Sequence, residues 1–452
     1  MAKAKNPEAT ESSSRSALNA YTYKKIIVEF LILLVFSPFL AAQWIVVPMD
    51  KSQTNHLKAY GLTYWALEAP REYSAKWLLN YRGGAFLLLD APDVRKKSSE
   101  MGVIFELLSN VDYVAMQSEI ENGNMDEISL EKAPKIAVYR PSDNSPYQDP
   151  WDDAVKIVLD YADIPYETVW DEEVMQGALL AKEYDWLHLH HEDFTGQYGK
   201  FYASFRDQVW YQQRVRIYQD VARKSGFNSV ARQKGHIAEL IRDYIVKGGF
   251  LFAMCSAPET LDIALATDGG RIDIVAPEID GTPVQTNYQS LLKFDRTFAF
   301  KDFELYPDPN RYEFSNIDNP KPELNPLTGI EDFILFEFAA KHDPIPAMLT
   351  QNHNARVFGY LGQTTSFNKN TIRQSTTILG EIEGTKYAKY IHGNLGKGTF
   401  TFLAGHDPED YRHLVGEGRI PTNLNLHKHS SGYRLILNNI LFPAAKKKPQ
   451  KT

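Results

Sequence analysis

The chain has 452 residues, enough for two or three domains, and its 43% apolar and 23% charged residues are ordinary for globular proteins. Its net charge of -8 excludes a dominant basic surface, so nucleic acid is not expected as a main partner. Its single cysteine excludes an internal disulfide.

The N-terminal segment predicts export. Two lysines precede an apolar run over 26–42 that ends in two alanines, a pattern typical of a secretory signal peptide. Glu29 and Pro38 interrupt the run, which is short for a spanning helix, so an uncleaved membrane anchor is the alternative for residues 1–42. Either form places the body in the periplasm or cell envelope of a bacterium, with membrane association possible through this segment. The basic tail 443–452 is expected to be solvated.

Residues 43–130 predict a small α/β unit of ordinary domain size. Apolar runs and helical spacing define its elements, and a Gly-Gly turn joins two of the strands. The predicted strands are 44–48, 77–80 and 85–89, and the predicted helices are 55–67, 101–108 and 113–121.

Residues 131–442 predict a second and larger α/β domain after a linker at 131–134. Strands alternate with helices, which indicates a doubly wound, mostly parallel sheet. The segment 268–354 is rich in Pro, Asn and Asp and is predicted to be an irregular insertion. The predicted strands are 135–139, 166–169, 184–189, 250–254, 356–361, 388–392 and 398–404, and the predicted helices are 151–161, 201–225, 237–245 and 431–441, with one more after Ser256.

The single cysteine follows the apolar strand 250–254. Ser256 and Glu259 form an S-x-x-E capping box, which predicts that a helix starts directly after Cys255. Unpaired N–H groups at a helix start favour the thiolate, so Cys255 is a candidate nucleophile at a strand-to-helix elbow. The alternative is an inert core thiol, because free cysteine is among the most buried residue types.

Polar groups follow three predicted strands, namely Cys255, residues 190–193 and residues 406–409. The carboxyl ends of parallel strands form one edge of a sheet, and ligands bind at that edge. A cysteine nucleophile needs a base and an orienting acid. His406 is the candidate base, and either Asp407 or Glu409 is the candidate acid, although this pair also suits a helix N-cap and first turn. Backbone N–H groups near Ser256 would hold an oxyanion. The candidate substrate-binding residues are Ser256, His190, His191, Glu192 and Asp193.

No cofactor and no metal is predicted. The alternative is a metal bound by His188 and His190, which share one face of their strand and carry the imidazole that suits zinc or iron. The fixed spacings of strong metal motifs are absent from this cluster.

The arrangement of strand, cysteine and helix, with a late strand that ends in histidine near an acid, resembles the class I glutamine amidotransferase-like fold, within its ThuA-like branch. Residues 184–193 and 398–411 carry this resemblance, which covers about 135–267 and 355–442. It implies a flavodoxin- or amidotransferase-like sheet. The chain departs from the pattern in having Ala253 and Ala257 around the cysteine, where amidotransferases usually have glycine.

The whole chain is also similar to exported bacterial proteins that are often labelled asparagine synthetase B. That enzyme uses an N-terminal cysteine, whereas residue 2 here is Ala2, and the chain has no P-loop. The segments that carry this likeness are 47–50, 55–61 and 79–84.

Together these features predict an exported amidotransferase-like hydrolase or amidase with a Cys-His-acid site and a small-molecule, sugar or peptide ligand. Three alternatives stay open. The first is a non-catalytic carbohydrate- or peptide-binding protein, and the second is an envelope scaffold on the same fold. The third is a glutamine-dependent amidotransferase of the asparagine synthetase type, implied by the resemblance alone.

Overall fold

A computed structural model describes Met1 and residues 44–446, except 142–152, 320, 322 and 411–420. The predicted signal peptide or anchor therefore lies outside the described residues beyond Met1, as does the basic tail from residue 447 onward.

The first unit is a five-stranded antiparallel sheet with three helices, in the strand order β4-β1-β3-β2-β5 over the described residues. Residues 101–108 were predicted to be helical. The helix ends at Met101, Gly102 caps it with a φ of 66°, and the apolar residues after it pair with β1 as a strand. The elements are β1 (Trp44–Val47), α1 (His56–Leu67), β2 (Ala75–Leu79), β3 (Phe86–Leu89), α2 (Pro92–Met101), β4 (Glu106–Leu108), α3 (Asn110–Asn122) and β5 (Asp126–Leu130).

The rest of the described chain forms a mixed α/β domain, in which short 3-10 turns supplement the helices. Its strands are β6 (Ile136–Tyr139), β7 (Glu167–Val169), β8 (Trp186–Leu189), β9 (Phe250–Met254), β10 (Asp332–Leu335), β11 (Arg356–Phe358), β12 (Phe367–Asn368), β13 (Thr377–Glu381), β14 (Tyr387–Leu395) and β15 (Gly398–Leu403). Its helices are α4 (Ala154–Tyr161), α5 (Asp171–Met175), α6 (Ala178–Ala181), α7 (Tyr202–Phe205), α8 (Val209–Lys224), α9 (Val230–Val246), α10 (Ala257–Ala266), α11 (Tyr288–Leu291), α12 (Pro344–Leu349) and α13 (Ser431–Leu441).

The large sheet combines parallel and antiparallel strands. Its described order is β11-β10-β13-β14-β15-β9-β8-β6-β7, and β12 pairs with β14. The pairs from β7 to β15 are parallel, while those from β15 to β11 are antiparallel. The α/β class is therefore confirmed, but the sheet is mixed rather than mostly parallel. Strand β10 lies inside the segment 268–354, so that segment is not wholly irregular.

Both faces of the parallel strands are buried, because successive side chains of a strand point to opposite sides. Phe252 and Met254 pack into a core shared with α1, α4 and α13, whereas Leu251 and Ala253 pack into a second core with α8, α9 and α10. The first core also contains Trp77 of the antiparallel sheet. The two sheets therefore share one hydrophobic core, which fixes the N-terminal unit against the larger domain.

Within the described residues, we find no helix with the length and apolar character needed to cross a membrane.

Candidate functional site

The parallel register places the carboxyl ends of three strands side by side. Leu403 of β15 lies opposite Met254 of β9, and Leu189 of β8 lies opposite Ala253 of β9. The next residues along each strand therefore meet at one edge of the sheet. The backbone confirms the closeness, because Cys255 N–H donates to the Gly405 carbonyl at 3.0 Å and Ala257 N–H donates to the His190 carbonyl at 3.2 Å.

Glycine is required just before His406. Gly405 has a φ of 94°, and a Cβ there would lie 1.8 Å from the Tyr360 carbonyl oxygen. Only glycine accommodates that approach. The turn that directs His406 into the edge therefore depends on this residue.

Cys255 lies at the sharp turn between β9 and α10, where its φ of 57° is in the left-handed region. The Gln363 N–H donates to its Sγ at 3.4 Å. Burial raises the pKa of the thiol to about 11, although the backbone amides of Gln363, Ser256 and Thr364 act in the opposite direction. Only 1% of the residue is exposed. The elbow geometry is present, but its thiol is protonated at neutral pH.

The predicted capping box does not form. Ser256 Oγ donates to the His191 carbonyl at 3.0 Å, and Glu259 accepts from Ser315 Oγ at 2.6 Å and from Thr364 Oγ1 at 2.7 Å. The N-terminus of α10 is buried among other loops, so both side chains find tertiary partners instead of each other. The prediction that a helix begins here is confirmed all the same.

A second buried carboxyl lies near Cys255. Asp318 accepts the backbone N–H groups of Thr365 at 2.8 Å and Ser366 at 3.2 Å. Burial, followed by the charge of Glu259, raises the pKa of Asp318 well above its ordinary value, and burial raises that of Glu259 to about 7. We call Cys255, Glu259, Asp318, Gln363 and Thr364 the thiol pocket. Sequence reasoning missed Asp318, because it lies in the irregular segment without a strand end or motif to mark it.

His406 meets other histidines in the described structure. Its Nδ1 lies 2.8 Å from His190 Nε2, and His190 Nδ1 lies 3.3 Å from Asp153 Oδ1. The Nε2 of His188 lies 3.3 Å from the same carboxylate oxygen. We call Asp153, His188, His190, His191 and His406 the histidine cluster. Although burial acts to raise it, charges on His188 and His190 hold the pKa of Asp153 well below its usual range.

Asp153 was not among the predicted site residues, although the sequence held a signal for it. It is the N-cap of α4, where Oδ1 accepts the N–H groups of Val155 at 2.8 Å and Lys156 at 3.1 Å. That helix follows β6, whose carboxyl end lies at the same edge of the sheet as those of β8 and β9. A carboxylate at the start of a helix after a parallel strand is the pattern that would have indicated it.

The two acids predicted to orient His406 have other recorded contacts. Asp407 accepts Thr422 Oγ1 at 2.8 Å, Tyr433 OH at 2.9 Å and the Glu409 N–H at 2.8 Å. The helix that Asp407 was alternatively predicted to cap would run into 411–420, outside the described residues. Glu409 lies 3.0 Å from His427 Nδ1. Among the described contacts, a chain through His190 connects His406 to the Asp153 carboxylate.

The remaining predicted binding residues lie around the cluster. His191 stacks on His190 with ring centroids 3.7 Å apart. Glu192 lies 3.3 Å from Lys234 Nζ, an ammonium that is fully buried beside Asp171. Asp193 accepts Thr195 Oγ1 at 2.6 Å and the Gly199 N–H at 2.7 Å. The recorded contacts of these two acids hold the loop after β8 in place.

Two described cavities lie away from these clusters. One of about 670 Å³ runs between Phe194 and the segment near Arg271, and none of the predicted catalytic residues lines it. Another of about 280 Å³ is lined by Glu409 and His427. Neither cavity is lined by a residue of the thiol pocket or the histidine cluster.

No family model and no curated protein matches the chain. Two solved structures of Salmonella typhimurium cytoplasmic proteins, STM1381 and STM3548, are 12% and 10% identical to it. They cover 69% and 70% of this chain and 100% of their own, with TM-scores of 0.34 and 0.33. A GH42 beta-galactosidase, Gan42B, is 9% identical over 61% of this chain and 28% of its own, with a TM-score of 0.25. These scores establish neither a common fold nor a function.

Proposed function

We propose that the protein is a hydrolase of amide or ester bonds, built on a doubly wound, amidotransferase-like sheet. The parallel order β7-β6-β8-β9-β15 supports that architecture, since the chain reverses direction across the sheet between β6 and β8. The two buried cores on opposite faces of these strands support it as well. The doubly wound sheet is thus a more specific proposal within the α/β class described above.

The observation that carries the proposal is the convergence of Asp153, His190 and His406 at the carboxyl edge. They come from the start of α4, the end of β8 and the turn after β15, yet consecutive polar atoms lie 3.3 and 2.8 Å apart. Ligands bind at this edge in open parallel sheets, and clusters of interacting titratable residues are frequent at functional sites.

Their task would be to move a proton. An imidazolium that forms when His406 takes a proton from an attacking water would share its charge with His190, and the Asp153 carboxylate would stabilise that charge. This is how a carboxylate supports a histidine base in acyl transfer. The small-molecule, sugar or peptide ligand expected from the sequence would then be a substrate with an acyl group.

A second candidate keeps Cys255 as the nucleophile. Its φ of 57° and the amide N–H at 3.4 Å from its sulfur favour this role, because strained turns and aligned amides occur at nucleophile elbows. The buried, protonated thiol argues against the role in the described state, and it equally suits the non-catalytic binding alternative.

The test is hydrolysis of a panel of p-nitrophenyl esters, amino-acid p-nitroanilides and glutamine by the full chain and four variants. His190→Asn and His406→Asn should each lower kcat/KM by about a hundredfold or more, the contribution of a general base. His392→Asn is the matched control, a buried histidine whose Nδ1 lies 3.1 Å from Thr401 Oγ1 on the antiparallel side. Cys255→Ala separates the two candidates.

Three outcomes decide the matter. Activity that survives Cys255→Ala and is lost in both histidine variants supports the proposal. Activity lost in Cys255→Ala and retained in His190→Asn assigns the reaction to the thiol instead. If the wild type turns over no substrate in the panel, the hydrolase is rejected in favour of the binding function. If its activity is indifferent to all four variants, the carboxyl edge is rejected as the place of hydrolysis.

We also propose that the protein acts outside the cytoplasm, on the strength of the 1–42 sequence pattern. Fractionation of cells that express the full chain tests this. Recovery from the periplasm or envelope is expected, and recovery only with cytoplasmic markers would reject it.

A further inference from the structure

The side chain of His188 is buried in an unusual hydrogen-bonding state. Its Nδ1 lies 3.2 Å from the Phe252 carbonyl oxygen, which can only accept, so Nδ1 carries the hydrogen. In the neutral ring Nε2 then presents a lone pair, and this atom has no hydrogen-bond partner among the described residues. It lies 3.3 Å from Asp153 Oδ1, another acceptor. Two buried acceptors that face each other need a cation between them, which is either a proton on Nε2 or a metal ion.

The distances suit a metal ion. The ligand atoms of Asp153, His188 and His190 lie within 4.8 Å of one another, and Oδ1 is 3.3 Å from both His188 Nε2 and His190 Nδ1. A tetrahedral metal with bonds of about 2.1 Å holds its ligand atoms about 3.4 Å apart. The two imidazole planes are tilted by 49°, so their in-plane lone pairs can converge on one point.

Hydrogen bonds and ring packing hold these three side chains in place, as in a preorganised site. His190 Nε2 is held by His406 Nδ1 at 2.8 Å, and a second ring nitrogen fixed by a hydrogen bond is typical of metal-bound histidine. Two backbone N–H groups of α4 fix Asp153. His188 packs against Trp186 and Phe252, with ring centroids 5.8 and 5.7 Å away. Rigid elements therefore hold all three ligands.

We propose that Asp153, His188 and His190 bind one divalent transition metal ion of the zinc, iron or cobalt type. Two imidazoles and one carboxylate favour these metals over magnesium or calcium, which prefer all-oxygen sites. His406 is a positioning residue that orients His190. The inference shares only its location with the proposed function, since a metal here would supply a Lewis acid at the edge where hydrolysis is placed. With the ion bound, Asp153 and His190 would serve as its ligands instead of stabilising a proton on His406.

The neighbouring trio of His190, His191 and His406 also brings its ligand atoms within 4.8 Å of one another. The rings of His190 and His191 are stacked, however, with an interplanar angle of 18° and centroids 3.7 Å apart. The lone pairs of stacked rings run parallel and do not meet at one ion. The Asp153 trio is therefore the better site.

The test is metal binding by the full chain after treatment with a chelator. Co²⁺ is titrated and followed by its visible absorption, and Zn²⁺ affinity is measured by competition with a chromophoric chelator. One ion per chain is expected. Asp153→Asn and His190→Asn should weaken Zn²⁺ binding at least a hundredfold, and His406→Asn should weaken it about 10- to 100-fold. His392→Asn, the buried histidine control, should leave it unchanged.

Two results would overturn the proposal. The first is an affinity weaker than about 10 μM in the wild type, which would leave a proton as the cation between His188 and Asp153. The second is binding that tolerates Asp153→Asn but is lost in His191→Asn, which would move the ion to the neighbouring trio. X-ray absorption of the Zn²⁺-loaded wild type needs no variant, and it should show two imidazoles and a carboxylate oxygen even if a variant fails to fold.

Metal binding and hydrolysis can fail separately. A chain that binds Zn²⁺ through these ligands without hydrolysing any substrate keeps the metal site and loses the proposed activity. A chain that hydrolyses substrates at full rate after metal removal, and binds no metal, keeps the activity and loses the metal site.

Discussion

The thiol pocket and the histidine cluster lie at the same edge of one sheet and are similarly buried, yet they hold acids in opposite states. In the thiol pocket, burial raises the pKa values of Cys255, Glu259 and Asp318. In the histidine cluster, charges on His188 and His190 overcome burial and lower the pKa of Asp153. The difference lies in the partner, because desolvation favours the neutral form of an acid unless a nearby cation compensates it.

The largest expected effect concerns the reactivity of Cys255. Its pKa of about 11 leaves about one thiol in a thousand ionised at pH 8, and only the thiolate is alkylated. Iodoacetamide labelling should therefore be about a thousandfold slower than for a fully ionised thiol, and it should still rise between pH 9 and 10. Labelling in urea is the control. A native rate that already levels off near pH 8 would contradict the neutral pocket.

Removal of the charged acid should cost stability. Asp153→Asn loses the carboxylate that faces two imidazoles and weakens the cap of α4, so we expect a loss of about 2–4 kcal/mol in the free energy of unfolding at pH 7. Urea denaturation of the full chain measures it. Asp160→Asn, on the same helix with a half-exposed side chain, is the control and should change the free energy by less than about 0.5 kcal/mol. Equal losses in the two variants would show that the Asp153 carboxylate stabilises the fold no more than an exposed carboxylate on the same helix.

The neutral acids should give the opposite pH dependence. The pKa of Glu259 is raised to about 7 in the folded chain, so the folded state holds this proton more tightly than the unfolded state. The contribution of this protonated carboxyl to the free energy of unfolding is complete below the unfolded pKa of about 4.5. It is lost as the pH rises toward 7, so the free energy of unfolding falls by up to about 1.4 kcal/mol per pH unit. Glu259→Gln should remove the Glu259 part of that decline and leave the part due to Asp318. Urea midpoints between pH 4.5 and 7.5 for both proteins measure the two declines, and equal declines would contradict the role of Glu259.

The smallest effect is expected for the stacked histidine at the rim. His191 is only half-buried, and its recorded ring contacts are with His190 and His406. His191→Asn should lower the free energy of unfolding by about 1 kcal/mol or less. A loss as large as that of Asp153→Asn would mean that the cluster acts as one unit rather than through its carboxylate.

Much of the fold could be predicted from the sequence, because strands buried on both faces are continuous apolar runs. The strand 250–254, its turn and the helix after it are where the pattern placed them. Predictions that depended on short polar motifs were less successful. The capping box of Ser256 and Glu259 failed because both side chains have tertiary partners. Strand β10 was missed because its partners, β11 and β13, are supplied by other parts of the chain.

By itself, the sequence determined the α/β class and the presence of cysteine and histidine at the ends of predicted strands. Those features depend on local apolar periodicity, which the chain carries along its length. The tertiary structure alone decided which of these groups touch. His406 meets His190, Asp153 joins them from the start of another helix, and Cys255 is enclosed and neutral. The reason is physical, since burial and charge partners depend on segments that are distant in sequence and adjacent only after folding.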